Sequence, residues 1–373
     1  MSLELFASVP EQVEAKRLLT TALAGGHAHA YLFHGPAGVG KTAAALDLAA
    51  ALLGDRERVL RRVHPDLRVI EALGEMIRID RIRDLHHDLH MRPFEGDRRV
   101  YLILDAHRLN EDAADALLKD LEEPPSYATI VLVADELGPL PETIRSRCQL
   151  VPFRRLTDAA VRDFLVASAP GLPLEEVATL ARVAGGRLDR AARLLEPESR
   201  ERRAALLDVA RGLYGESLDA AAAAAVVLDA MQASGAAAKR REEEAIRDVD
   251  LPTREAEQRV RRAQRGAEKD EHLAALELLA AWYRDLAVTA AGAPAVTVNA
   301  DRSADLATDA AVPGVASHAV EAAALCRDAW RVAEEFNVNP GLALEALFVR
   351  LRALFAGRAI PSAGSAVAYA TDS

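Results

Sequence analysis

Gly35-Pro36-Ala37-Gly38-Val39-Gly40-Lys41-Thr42 is the stretch that decides the fold, because it fits the pattern G-x-x-x-x-G-K-[ST]. The apolar run Ala30-Tyr31-Leu32-Phe33 before it is typical of a buried strand, and the Ala- and Leu-rich residues 43–53 after it are typical of a helix. In such a strand-loop-helix unit, backbone amides cradle the phosphates of a nucleotide, Lys41 reaches the β- and γ-phosphates, and the Thr42 hydroxyl ligates Mg²⁺. The sequence therefore predicts that all eight residues from Gly35 to Thr42 line a site for ATP and Mg²⁺.

Strand-like and helix-like segments alternate on both sides of this loop. Apolar strands are predicted at 68–70, 99–105 and 129–133, and helical segments at 79–89 and 113–121 lie between them. This alternation predicts an α/β domain, built on a parallel sheet with helices on its faces.

The strand signal fades after about residue 155. We therefore expect an α/β domain over 1–155, a small helical lid over 156–200 and an all-α domain over 201–357. Within the last of these, residues 291–313 lack periodicity and are predicted to be a loop. Residues 358–373, which follow that domain, are predicted to be a disordered tail.

Bulk composition narrows the classes of function. A chain of 373 residues with 28% charged residues is ordinary for a soluble protein, and its net charge of −11 argues against nonspecific coating of nucleic acid. The two cysteines, Cys148 and Cys326, are far apart and support neither a disulfide framework nor a cysteine zinc site. Neither a signal peptide nor a membrane-spanning run is evident, so a cytoplasmic location and no membrane partner are expected.

ATP hydrolysis requires a carboxylate that organises Mg²⁺ and usually another that orients the attacking water. Asp105 ends the apolar strand at 99–105, but Leu104 precedes it, and neighbouring strand residues point to opposite faces. One carboxylate cannot simply serve both roles. Asp105 is therefore either a degenerate Mg²⁺ ligand or a residue that caps the following turn.

Other side chains outside the loop are candidates for chemistry. Arg147, in Ser146-Arg147-Cys148, is either a solvated arginine or a guanidinium that stabilises charge on a neighbouring subunit's nucleotide. Cys148 is interpreted as a small buried apolar residue. The histidines at 86, 87 and 90 are interpreted as a solvated helix face, because no carboxylate or cysteine context supports zinc.

Four motifs together resemble the clamp-loader subunits of bacterial DNA polymerase III. They are Val9-Pro10-Glu11-Gln12, the run from His29 to Thr42, Leu117-Leu118-Lys119-Asp120-Leu121-Glu122-Glu123-Pro124-Pro125, and Thr143-Ile144-Arg145-Ser146-Arg147-Cys148-Gln149. Near the end of the chain, Trp282-Tyr283-Arg284-Asp285-Leu286 and the stretch from Asn337 to Glu345 resemble the collar domain of the family's stator subunit.

The resemblance implies an AAA+ module, a helical lid and a helical collar that assemble with other loader subunits, open a sliding clamp and place it on primed DNA. It also implies that Arg147 acts in trans on ATP held by an adjacent motor subunit. The polymerase site of the holoenzyme would lie on another subunit.

Three departures from the family pattern sharpen the expectation. The zinc module of four cysteines is missing, so no zinc is expected; the Asp-Glu strand end is Leu104-Asp105; and Ala134-Asp135 replaces the sensing Thr. Leu188 holds the slot of the lid arginine that would touch the γ-phosphate, and Arg187 and Arg190 flank that slot without filling it. A stator with weak or absent ATPase activity is favoured, and an ATP-hydrolysing motor of the same loader and an unrelated P-loop ATPase stay open as alternatives.

Overall fold

The computed structural model describes residues 5–25, 28–72, 76–215, 218–247, 253–336 and 338–360. The chain divides into two compact units, Met1–Ala192 and Arg193–Ser373. The expected domain boundaries near 155 and 200 stay predictions, and most of the expected tail, 361–373, lies outside the described residues.

The first unit is built on a five-stranded sheet in the order β2-β3-β4-β1-β5, in which every pairing is parallel. Its strands are β1 (Ala30–His34), β2 (Leu67–Ile70), β3 (Arg99–Ile103), β4 (Ala128–Ala134) and β5 (Gln149–Pro152). The expected parallel sheet with flanking helices is thus confirmed. The sequence-based prediction does not include the edge strand β5, because a run of four residues that ends in a proline carries little strand signal. A sheet tolerates such a proline at its edge.

Helices cover both faces of this sheet. Alternate strand residues point to opposite sides, and the strands have apolar residues on both. On one face Tyr31 and Phe33 share a core with Leu48, and on the other Leu32 packs with Leu85 and Leu117. The helices of the sheet region are α1 (Val13–Gly25), α2 (Lys41–Leu53), α3 (Arg56–Leu60), α4 (Ile79–Leu89), α5 (Glu111–Glu122) and α6 (Glu142–Arg145).

Three short helices follow the sheet: α7 (Asp158–Ser168), α8 (Leu174–Ala184) and α9 (Leu188–Leu195). Thr157 caps α7, because its hydroxyl accepts a hydrogen bond from the Ala160 amide at 3.2 Å. Gly185 takes the left-handed conformation (φ 59°) that ends α8.

The second unit is entirely helical in its described residues. It consists of α10 (Pro197–Tyr214), α11 (Ala220–Ile246), α12 (Thr253–Ala290), α13 (Ser303–Ala310), α14 (Val315–Glu335) and α15 (Pro340–Phe355). Trp282 and Tyr283, both fully buried, lie at the centre of its core together with Phe348. Asn339 caps α15 by accepting hydrogen bonds from the Gly341 and Leu342 amides, and Pro340 follows at the first helical position.

Two features of this unit bear on the sequence-based expectations. The prediction of a loop over 291–313 is wrong in part, because α13 forms there: Leu306 enters the core and Asp309 accepts hydrogen bonds from Arg211 and Tyr214. Among the helices of the described residues, one, α11, is long and apolar enough to cross a membrane by length and composition. Its Ala223, Val227 and Met231 belong to the core of the unit, so part of the apolar surface of α11 is buried within the protein.

Candidate functional site

The loop between β1 and α2 has the backbone of a phosphate cradle. Gly35, Gly38 and Gly40 all have positive φ angles, of 138°, 72° and 97°. A β-carbon on Gly35 would lie 2.0 Å from the carbonyl oxygen of Phe153, so the loop passes too close to the end of β5 for any side chain. The glycines are therefore required by backbone conformation and by close approach.

Lys41 opens α2 and points back into this loop. Its side chain is 4% exposed, and its Nζ donates hydrogen bonds to the carbonyl oxygens of Gly35 at 2.6 Å and Pro36 at 2.5 Å. The same Nζ forms an ion pair with Asp135 Oδ1 at 2.7 Å. Burial lowers the pKa of the Lys41 ammonium below its ordinary value, and the Asp135 carboxylate opposes that shift.

Asp135 follows β4, which lies between β1 and β3 in the sheet. The carboxyl ends of these three strands therefore bring together the phosphate loop, Asp135 and Asp105. Ligand atoms of Asp105, His107 and Asp135 lie within 4.8 Å of one another. The expectation that the site offers a single carboxylate is thus wrong: the structure supplies a second one from the neighbouring strand.

Asp105 lies one residue beyond the buried Leu104 and adopts a left-handed conformation, with φ of 53°. Burial raises the pKa of its carboxyl, while Arg108 and His107 act in the opposite direction. The Asp105 side chain makes no capping hydrogen bond to the short turn Ala106–Arg108 that follows. The interpretation of Asp105 as a cap of this turn is therefore not supported by a hydrogen bond.

The loop is covered on its other side by residues at the start of α9. The Leu188 amide donates a hydrogen bond to the Gly38 carbonyl at 2.7 Å. A β-carbon on Gly38 would lie 1.9 Å from Asp189 Oδ1 and 3.1 Å from the Arg187 β-carbon. Arg187 thus lies beside the loop, and its guanidinium forms an ion pair with Asp189 at 2.8 Å.

Arg147 is positioned by two other elements, α5 and α6. Its Nε donates a hydrogen bond to Glu122 Oε1 at 2.8 Å, its Nη2 forms an ion pair with the same oxygen, and its Nη1 donates to the Thr143 carbonyl at 2.9 Å. The side chain is 34% exposed, so this pairing holds the guanidinium at the protein surface. Cys148, the next residue, is buried, and burial raises the pKa of its thiol to about 12.

Gln12 ties the N-terminal segment to the site. Its side-chain amide donates to the Arg154 carbonyl at 2.7 Å and accepts from the Arg154 amide at 3.0 Å, just beyond β5. The Val9 side chain lies 3.3 Å from the position of a β-carbon on Gly40. The motif from Val9 to Gln12 therefore supports the phosphate loop from the side of the edge strand.

Sequence reasoning missed three acidic residues of this site. The sequence marks Asp135 only as a departure from a family motif. No local pattern pairs Glu122 with Arg147, or Asp189 with the phosphate loop. Each makes its contact across elements that are far apart in sequence. The one usable signal was the position of Asp135 directly after a buried strand, where α/β sheets place ligand-binding residues.

Comparison with known proteins agrees with this geometry. Residues 11–157 match the family model described as DNA polymerase III, delta subunit. The delta-prime subunit of DNA polymerase III from Pseudomonas aeruginosa is 34% identical over 210 residues, which cover 52% of this chain and 64% of the relative. The chain resembles DNA polymerase III delta-prime subunits.

Other relatives have a similar identity over shorter stretches. The delta-prime subunit of Bacillus subtilis is 37% identical over 150 residues, or 37% of this chain and 46% of the relative. The tau subunit of Bacillus subtilis is 34% identical over 176 residues, which cover 43% of this chain and 31% of the relative. The chain thus spans less than two thirds of the length of these relatives. The resemblance expected from the motifs is confirmed, and the structure shows the expected α/β sheet domain followed by helices.

Among solved structures, a gamma-subunit-related protein of Thermotoga maritima covers 92% of this chain with 19% identity and a TM-score of 0.44. A likeness this loose carries no weight for function.

Proposed function

We propose that this chain is a delta-prime-like subunit of a DNA polymerase III clamp loader, acting in DNA replication as a stator. In this role it assembles with tau/gamma and delta subunits, and the complex places a sliding clamp on primed DNA. Arg147 reaches the ATP of an adjacent motor subunit. Support comes from the similarity to delta-prime subunits and from the way the phosphate loop and Arg147 are each paired.

The observation that carries the proposal is the ion pair between Lys41 and Asp135. A P-loop lysine normally neutralises the β- and γ-phosphates, but here a carboxylate of the same chain takes that place at 2.7 Å. Asp189 adds a second negative group over Gly38. Asp189 is itself paired with Arg187, so Asp135 is the carboxylate that competes with a triphosphate for Lys41.

The loop nevertheless fits a nucleotide in its backbone. The three glycines with positive φ, Lys41 and Thr42 at the start of α2 are the groups that would hold ATP phosphates and Mg²⁺. ATP bound there would supply a triphosphate for hydrolysis, with Asp105 as the remaining acidic group at the strand end. Occupancy therefore requires that Asp135 move away from Lys41.

Arg147 is suited to act on another subunit's nucleotide. A guanidinium beside a transferring phosphoryl group stabilises charge that develops in the transition state. Arg147 is partly exposed, and its pairing with Glu122 fixes its position before assembly. Its described partners belong to α5 and α6 and not to the phosphate loop of its own chain.

A second candidate function is that of a tau/gamma-like motor, which hydrolyses its own ATP. The specific observation in its favour is that Asp105 and Asp135 lie close together, since paired carboxylates could divide the metal and water roles between them. The similarity to a tau subunit is also consistent with it.

Native mass spectrometry of a reconstituted loader separates the two functions. If the chain is a stator, complexes that contain it will carry nucleotides on the motor subunits only, and Lys41→Ala will leave that number unchanged. A nucleotide lost from each complex with Lys41→Ala would support the motor. Failure of the chain to enter the complex would contradict both.

A further inference from the structure

Two helices of the first unit bring a set of metal-ligand side chains together away from the phosphate loop. His86 and His90 lie one turn apart at the end of α4, and their rings meet edge to face with centroids 4.8 Å apart. Asp120 of α5 faces them, with its Oδ1 2.6 Å from His86 Nδ1. One ligand atom from each of the three lies within 4.8 Å of the others. The sequence-based expectation that these histidines lack a carboxylate is therefore wrong.

Asp120 is an unusual residue for a simple ion pair. It is 2% exposed, and its Oδ2 is buried without a hydrogen-bond partner. A buried carboxylate with one of its two oxygens unsatisfied costs free energy unless a further positive group approaches it. The exposed ring of His90 leaves an open side from which a cation can enter.

We propose that His86, His90 and Asp120 bind a divalent zinc-like metal ion. Two imidazole nitrogens and a carboxylate oxygen are donors that Zn²⁺ accepts, and a fourth position would be left to water. The separation of i and i+4 places both histidines on one face of α4. The bound ion would give the Asp120 carboxylate the further positive partner it lacks and would join α4 to α5.

The site is separate from the cluster of Asp105, His107 and Asp135 beside the phosphate loop, so the proposal does not depend on how that loop is used. Because that second cluster also contains an imidazole, an experiment must assign the metal to one cluster. His107→Ala removes its imidazole without touching α4.

The test is a titration of the full chain, without an affinity tag and after treatment with a chelator, with Zn²⁺ by calorimetry and with Co²⁺ by visible absorption. The wild type is expected to bind one ion, and His90→Ala is expected to lower the affinity for that ion at least about tenfold. Even the loss of a residue that only hydrogen-bonds to a metal ligand costs that much affinity. Asp120→Asn is expected to do the same. His87→Ala is the matched control, because His87 is the neighbour of His86 outside the cluster, and it should bind as the wild type does.

His90 is exposed, so His90→Ala is expected to fold, and circular dichroism verifies this for each variant. Unchanged binding by folded His90→Ala would overturn the proposal and leave His86 and Asp120 as an ion pair only. The loss of all binding in His107→Ala would overturn it too, because the metal would then belong to the phosphate loop. Retained binding in His107→Ala together with loss in His90→Ala is the result that supports it.

Discussion

Replacing Asp135 by Asn tests how the phosphate loop is held. In the native chain a triphosphate must displace the Asp135 carboxylate from Lys41 before the lysine can bind a phosphate. The side-chain amide that the substitution introduces is uncharged, so that competition is largely removed. We therefore expect Asp135→Asn to bind ATP more tightly than the wild type does.

The size of the gain follows from the geometry. A hydrogen bond to a charged group contributes about 1.5–3 kcal/mol. Lys41 is 4% exposed but Asp135 is 39% exposed, so solvent screens the pair and the lower part of this range applies. A difference of about 1.5–2 kcal/mol corresponds to a roughly 10- to 30-fold gain in affinity.

The assay is a titration of each protein with a fluorescent ATP analogue in the presence of Mg²⁺. Glu136→Gln is the matched control, because Glu136 is the exposed neighbour of Asp135 and its substitution changes the net charge by the same amount. We expect this control to bind as the wild type does.

Two results would refute the reasoning. Equal gains in Asp135→Asn and Glu136→Gln would show that overall charge decides the affinity, and not the contact with Lys41. Weaker binding in Asp135→Asn would show that the carboxylate helps to hold Mg²⁺, as the motor function requires.

Three further substitutions test the packing and electrostatics of the two units. Gly35→Ala should lower the free energy of unfolding in a denaturant titration by about 3 kcal/mol or more, because the new β-carbon meets the Phe153 carbonyl at 2.0 Å. Gly54→Ala is the control, since Gly54 also has a positive φ but open space around it, and it should cost only about 1–2 kcal/mol. Equal losses in the two variants would contradict the steric argument. Asp105→Asn should raise the melting temperature near neutral pH, because burial raises the pKa of the Asp105 carboxyl and its ionised form therefore lowers stability. The gain in melting temperature should shrink as the pH falls, since the carboxyl of the folded wild type then takes up a proton. A gain that is independent of pH would refute this electrostatic explanation. Asp285→Ala should cost about 3 kcal/mol in chemical unfolding, because the buried carboxylate accepts four hydrogen bonds: from the Val298 and Asn299 amides, the Asn299 side chain and the Arg284 guanidinium. A loss below about 1 kcal/mol would show that these donors find other partners.

Local patterns were enough to predict most of the sheet domain. The phosphate loop, the buried strands and the position of Asp105 at a strand end depend on residues that are adjacent in sequence, so their periodicity and spacing carry the information. The helix cap at Asn339 was predictable for the same reason. The four-residue edge strand β5 was not, because so short a run that ends in proline carries little strand signal.

The pairings that decide the chemistry could not be predicted in this way. Asp135 meets Lys41 because β4 lies beside β1, and a single sequence does not fix the order of strands. Asp120 meets His86 because α4 packs on α5, and Glu122 likewise meets Arg147 across 25 residues of sequence. These contacts depend on tertiary packing, which residue patterns alone leave open.

The central claim is that this chain lends Arg147 to another subunit's ATP and does not consume its own. The most direct measurement is the DNA-stimulated ATPase rate of a reconstituted loader that contains the wild-type chain, Arg147→Ala, Lys41→Ala or the charge control Arg154→Ala, whose side chain is 83% exposed. We predict normal assembly in all four, a loss of roughly 10³-fold or more at the adjacent site with Arg147→Ala, and little change with Lys41→Ala or Arg154→Ala. An unchanged rate with Arg147→Ala, together with a large loss with Lys41→Ala, would contradict the claim.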